Sequence, residues 1–177
     1  MTEKQEKILE TALELFAKEG YKSTSTSKIA KQANVSEGLI FRHFENKEGL
    51  LQAIISLGEE KAKILFADIV MDEDPKSVIR KILGMGEQMN QDPASANFWK
   101  LQYKLKWELE IYGAYKLEPL RQALATAFQK LDYDHPVVEA DLLLVTLDGL
   151  ATRFYLDKEF DFSKIVELLF QKYGIWS

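Results

Sequence analysis

Apolar residues recur every three or four positions along almost the whole chain, and no stretch alternates apolar with polar residues between hairpin turns. That period predicts an all-α protein. The first helix opens at Thr2-Glu-Lys-Gln5, which fits a capping box, carries Ile8, Leu9, Ala12, Leu13 and Phe16 at helical spacing, and stops at Gly20. A short second helix is expected from Ser27 to Ala33, capped by Thr26 or Ser25, with Ile29, Ala30 and Ala33 inward. Asn34 suits the turn that follows. Ser36 then stands as an N-cap, its hydroxyl placed to accept from the unpaired first-turn amides of a third short helix, Glu37 to Phe44. Asn46 caps a long fourth helix from Lys47 to about Val70. On it Leu50, Leu51, Ile54, Ile55, Leu57, Ala62, Leu65, Phe66 and Ile69 form a broad apolar face. At about 1.5 Å per residue that helix is about 35 Å long, enough to join an N-terminal unit to the rest.

Beyond the break at MDEDP (71–75), helices are expected at about 76–90, 94–112, 115–131, 136–156 and 162–173. The breaks between them rest on Asp92-Pro93, Gly113, DYDHP and DKEFDF. The last two helices, with VVEADLLLVTLDGLATRFYL in one and Ile165, Val166, Leu168, Leu169 and Phe170 in the other, are more apolar than one small domain needs. Dimerisation through them would bury the excess. Gly149 costs roughly 1 kcal/mol against alanine inside a helix, so a close helix approach is the expected compensation. Asp148, in the same apolar helix, needs a partner such as Thr152 or an arginine across an interface, or else orients a polar group on a ligand.

Composition narrows the class. With 46% hydrophobic and 29% charged residues the chain is an ordinary globular protein, and the absence of cysteine excludes disulfides, thiolate metal sites and thiol nucleophiles. The charged N-terminus lacks a secretory apolar region. The most apolar stretch, 137–156, is interrupted by Glu139, Asp141, Asp148 and Arg153, which argues against a membrane span, and the lack of cysteine makes the cytoplasm the expected compartment. The net charge of −5 hides an uneven distribution. Between Gly20 and Lys47 five cations face two carboxylates, a net +3 that leaves −8 for the remainder. A basic contact surface on an acidic body fits that segregation.

That same stretch, TSTSKIAKQANVSEGLIFRHFENK (24–47), holds a short helix, a tight turn and a second short helix with polar outward residues. This is the pattern of a helix-turn-helix, whose second helix enters the major groove of DNA. Leu39, Ile40 and Phe44 would hold the reading helix inward, and Glu37, Arg42 and His43 would face out. The guanidinium fork of Arg42 suits guanine or a phosphate, and Glu37 could accept from cytosine. Thr26 and Ser27 place hydroxyls and free amides at a helix start where a phosphate oxygen would sit, and Lys47 does the same at the fourth helix.

The segments ILETALELFAKEGY and TSKIAKQANVSEGLIFRHFENKEGLL make residues 1–50 resemble the DNA-binding domain of the tetracycline-repressor (TetR) family of bacterial transcription regulators. The resemblance lies in Ile29-Ala30, Ala33, Val35-Ser36, Gly38, Phe41, His43-Phe44 and Lys47. It implies that Thr26, Ser36, Phe41, His43 and Lys47 hold phosphates or position the reading helix, while Ser27, Glu37, Gly38, Leu39 and Arg42 face bases. The chain departs from the family in having Leu39 where Thr is frequent and Phe41 where Tyr is frequent, so two hydroxyls are absent. Leu39 then meets a thymine methyl or belongs to the core.

The resemblance further implies a helix-turn-helix domain over 1–48 and, over 49–177, a helical ligand-binding and dimerisation domain. Within the latter, 98–115 carries six aromatics: Phe98, Trp99, Tyr103, Trp107, Tyr112 and Tyr115. Trp99, Tyr103 and Trp107 recur every four residues on one helix face, which fits either a core stripe or the wall of an apolar pocket. With Tyr112, Asp148 and Phe154 they form the candidate site for a small hydrophobic effector.

The chain has no HExxH, Walker loop or GxSxG, and His43 and His135 lie far apart, so neither catalysis nor a metal or other cofactor is expected. The functional expectation is a homodimeric repressor, released from a palindromic double-stranded DNA operator by the effector. A DNA binder controlled by a protein partner, or an architectural one, is the alternative.

Overall fold

The computed structural model describes residues 1–110, 114–157 and 159–175. Among these residues there are nine α-helices and no strands: α1 (Glu3–Glu19), α2 (Thr26–Ala33), α3 (Glu37–Phe44), α4 (Lys47–Val70), α5 (Pro75–Met89), α6 (Pro93–Glu108), α7 (Ala114–Lys130), α8 (Pro136–Leu156) and α9 (Phe162–Lys172). The expected all-α architecture is the one observed. No helix of the described residues is long and apolar enough to cross a membrane.

Local chemistry places most helix ends. The Thr2 hydroxyl accepts from Gln5 N while Gln5 Oε1 accepts from Thr2 N, a complete capping box. Ser25 caps α2, so Thr26 is its first residue, and Asn34 ends it in the left-handed region at φ 56°. The Asp92 carboxylate accepts from Ala94 N and Ser95 N at the start of α6. Two expectations fail. Ser36 occupies the N-cap position of α3, but its hydroxyl makes no capping bond there. Helix α6 ends at Glu108 rather than running to 112, with Leu109 as its C-cap and Glu110 at a positive φ of 54°.

The chain forms two compact units, Met1–Ala62 with Met89–Tyr112, and Lys63–Gln88 with Gly113–Ser177. In the first, Ile8, Ala12, Leu15 and Phe16 of α1, Ile29 and Ala33 of α2, Ile40 of α3 and Leu50, Leu51 and Ile54 of α4 share one core with Leu101 and Leu105 of α6. Leu13 lies at its edge, and Leu15 takes the central place instead. The helix-turn-helix therefore has α6 as part of its own packing. Gly58 makes room for this: a Cβ there would overlap the ring of Phe98. Along α4 the broad apolar face is buried at Leu50, Leu51, Ile54 and Ile69, whereas Leu57 and Ile64 are exposed.

In the second unit α7 packs along α8, and Arg121 forks onto Asp141 with Nε and Nη2 bonds of 2.5 and 3.1 Å. That hydrogen-bonded guanidinium holds the Asp141 carboxyl below the usual range. Val78, Ile79, Ile82 and Leu83 of α5, Leu120, Leu124 and Phe128 of α7 and Leu143 and Leu150 of α8 are buried. An apolar stripe remains outside. Val138, Leu142, Val145 and Leu156 of α8, with Ile165 and Leu168 of α9, are all exposed. Gly149 lies on that stripe by helical spacing, and among the described residues nothing outside its own stretch of helix lies within 4 Å of where its Cβ would be. The expected close approach at Gly149 is thus not made among the described residues.

Candidate DNA-binding interface

Helices α2 and α3 are joined by three residues, Asn34, Val35 and Ser36. Ile29, Ala30 and Ala33 turn one side of α2 inward, and Ile40 does so for α3 with Leu39 and Phe44 packed beside it. Leu39 is half-buried there. The side of α3 that remains outward carries Ser36, Gly38, Phe41 and Arg42, all exposed. Gly38 leaves open space at the start of the helix, with no atom near its Cβ position.

Several predicted contact residues engage one another. The Thr26 hydroxyl donates to Glu37 Oε1 at 2.6 Å, tying the start of α2 to the start of α3. Ser27 and Ser25 share a hydroxyl bond of 3.0 Å. Lys47 Nζ donates to the Lys22 carbonyl at 3.3 Å and lies 4.5 Å from the centre of the Tyr21 ring. Tyr21 itself donates to Glu48 at 3.0 Å. Burial first, and then Glu48, push its hydroxyl up to about 12, so it stays a donor. His43 is half-buried, its Nδ1 3.3 Å from Gln5 Nε2.

A γ-turn joins the reading helix to α4. Glu45 sits at φ 64°, ψ −49°, and Asn46 N donates to the Phe44 carbonyl at 2.7 Å. Asn46 Oδ1 in turn accepts from Gly49 N at 2.8 Å, capping α4 as its sequence predicts. The Glu108 carboxylate accepts from Lys22 N at 2.9 Å, and Lys104 donates to the Lys18 carbonyl at 2.9 Å. These bonds, one on either side of Gly20, fix the loop between α1 and α2. Gln5, Tyr21, Lys104 and Glu108 were not legible as site residues, because each acts on a partner far away in sequence. Only Gln5 carried a signal, through the capping box.

The other candidate residues are divided between the two units. Trp99 and Tyr103 are half-buried on α6, but its buried stripe is Phe98, Leu101 and Leu105, so the aromatic series is not a core stripe. Trp107 is 79% exposed. Tyr112 lies outside the described residues. Asp148 and Phe154 sit on α8 in the second unit, where the Thr152 hydroxyl donates to the main-chain carbonyl of Asp148 at 2.9 Å. A crevice of about 280 Å³ in that unit is lined by Val70, Val78, Pro119, Thr126 and Lys130 among others, and by none of the predicted effector residues.

Two short helices held at a tight turn, one with an exposed polar outer side ending in Arg42, define a helix-turn-helix of the DNA-binding kind. Residues 8–54 match the family described as bacterial regulatory proteins, tetR family. The chain is 52% identical over 50 residues to the HTH-type transcriptional regulator YvkB of Bacillus subtilis, an alignment covering 28% of this chain and 26% of that one. It is 48% identical over 54 residues to the fatty acid metabolism regulator protein of the same organism, covering 30% and 26%. The matched segment thus spans about a quarter of the length of these curated relatives. Over nearly the whole chain the fold resembles a transcriptional regulator of Aquifex aeolicus, with a TM-score of 0.71 at 23% identity, covering 97% of this chain and 98% of that one.

Proposed function

We propose that the protein is a homodimeric, sequence-specific DNA-binding regulator, a repressor that a small hydrophobic ligand releases from a palindromic operator. The exposed outer side of α3, held by a buried inner side at Ile40, is the observation that carries this reading. Arg42 reads a base edge and Glu37, aligned by Thr26, accepts from one. Ser36, His43 and Lys47 contact the backbone, which positions the helix without specifying sequence.

The exposed apolar residues of α8 and α9 support self-association, since large apolar side chains left outside at helical spacing are the kind a partner surface covers. A two-fold pair would present two reading helices to half-sites about 34 Å apart, or a multiple of that, as dimeric helix-turn-helix proteins do. Trp99 and Tyr103 line the effector site on α6. Leu101 and Leu105 of that helix belong to the core under the reading helix, and Lys104 and Glu108 grip the α1–α2 loop. A ligand that binds one position of α6 more tightly than another therefore biases the helix-turn-helix directly, and α4, which runs through both units, carries the same bias.

The test is selection of bound duplexes from a random DNA library by the purified protein at near-physiological salt. A palindromic consensus is expected. Affinity that falls with salt but discriminates little between sequences would replace this reading with an architectural one.

A further inference from the structure

We propose that Gln5 is a positioning residue for DNA contact, setting the tautomer of His43 so that its Nε2–H is offered outward to a phosphate oxygen. The inference rests on the DNA-binding reading above. Gln5 occupies the third position of α1, and its side chain spans two bonds at once. Thr2 N–H is a donor only, so the Gln5 atom 2.8 Å from it must be the carbonyl oxygen. The amide end that remains is NH2, again a donor only, and it lies 3.3 Å from His43 Nδ1. Nδ1 must then accept. A neutral imidazole that accepts at one nitrogen carries its proton at the other, so the proton resides on Nε2.

Nε2 is available for it. Among the described residues the single enclosed side-chain nitrogen or oxygen without a partner is Gln102 Nε2, and the structure gives His43 Nε2 no protein partner, so that atom is open to solvent. The ring is steadied by an edge-on contact with Phe44, 6.2 Å between centroids. The helix cap of α1 thus does a second job. The bond that closes the capping box orients the amide, and the amide sorts the protons on a ring at the end of the reading helix. A phosphate oxygen accepts only, so the tautomer decides whether this contact forms.

Gln5→Glu separates the tautomer from the fold. Glutamate is equally at home in the capping box, but it presents an acceptor to Nδ1 and so draws the proton there. The chain has two histidines, and His135→Asn leaves His43 as the sole ring for ¹⁵N NMR. Spectra are recorded well above the ordinary imidazole pKa of about 6.5. The expected result is a protonated Nε2 and a bare Nδ1 in the protein with Gln5, and a protonated Nδ1 in the Gln5→Glu variant. Binding to the selected duplex is then measured for Gln5→Glu, His43→Ala and the double variant. The loss from Gln5→Glu should be about tenfold with His43 present, as for one hydrogen bond to a charged acceptor, and much smaller in the His43→Ala background, which isolates the effect of added charge.

A protonated Nδ1 in the protein with Gln5, or equal losses in both backgrounds, would overturn the inference while leaving DNA binding intact. A protein with the proposed tautomer that binds no DNA would refute the DNA-binding reading, and with it the phosphate role assigned to His43.

Discussion

Gly49 stands in the first turn of α4, where helix propensity favours alanine over glycine by about 0.8–1.0 kcal/mol. On propensity alone Gly49→Ala should stabilise the protein. The γ-turn reverses the sign. It swings the Phe44 carbonyl back over the start of α4, so that a Cβ on Gly49 would fall well inside contact distance of the Phe44 oxygen and 3.2 Å from its carbon. That oxygen is main-chain and already accepts from Asn46 N at 2.7 Å, so it cannot yield without moving the turn. Overpacking costs about 1–3 kcal/mol, and losing the Asn46 bond adds about 1 kcal/mol. Offset by propensity, the net loss is about 1–3 kcal/mol. With a urea slope of about 2 kcal/mol/M the midpoint should fall by about 0.5–1.5 M. Gly84, on α5, is the internal control: among the described residues nothing outside its own stretch of helix lies within 4 Å of its Cβ position, and Gly84→Ala should raise the midpoint by about 0.5 M. A Gly49→Ala protein as stable as the parent would refute the reasoning. Because this turn carries α3, the same substitution should weaken binding to the selected duplex.

Arg42→Ala should relax base preference at one position of each half-site, at a cost of about 1–3 kcal/mol, whereas Lys47→Ala should weaken binding evenly across sequences and reduce the salt slope by about one; binding titrations on specific and random duplexes over a salt series tell them apart. Val145, 70% exposed in the middle of the α8 stripe, should tolerate Val145→Asp without loss of monomer stability, yet the change should shift the protein from dimer to monomer in sedimentation. In Asp72, hydrogen bonds from the Ser77 hydroxyl and then Lys81 lower the carboxyl to about 2. A folded-state pKa below the unfolded value of about 3.9 gives stability present above that value and lost as pH falls towards about 2. Urea midpoints measured over that acid window should therefore decline less steeply for Asp72→Asn than for the parent.

Most of the helix order was written in the pattern itself. The helical period, the capping box at Thr2, Asn34, Asn46 and Asp92-Pro93 are local signals, acting within four or five residues, and they placed the helix-turn-helix and its neighbours to within a residue or two. The same locality marked Ile40 as the inner side of α3 and Arg42 as exposed, whereas Glu37 and His43, expected to face out, are half-buried and Phe41 is exposed. Where the signal was weak it misled: Ser36 has the right residue type for a cap but makes no capping bond, and Glu110 turns the chain with none of glycine's freedom.

What only the tertiary structure decided concerns pairs distant in the chain. That α6 shares a core with α1, α2 and α3 depends on Leu101 and Leu105 joining the cluster those helices form, and on Gly58 admitting Phe98. An apolar stripe in the sequence says that a face will be buried but not by what. The aromatic series Trp99, Tyr103 and Trp107 illustrates this: its spacing defined a face, while packing chose Phe98, Leu101 and Leu105 for the interior and left Trp107 in solvent. Hydrogen bonds such as Thr26 to Glu37 and Gln5 to His43 have the same character. Their donors and acceptors are common residues, and only a folded backbone brings them within about 3 Å, the distance at which their chemistry becomes specific.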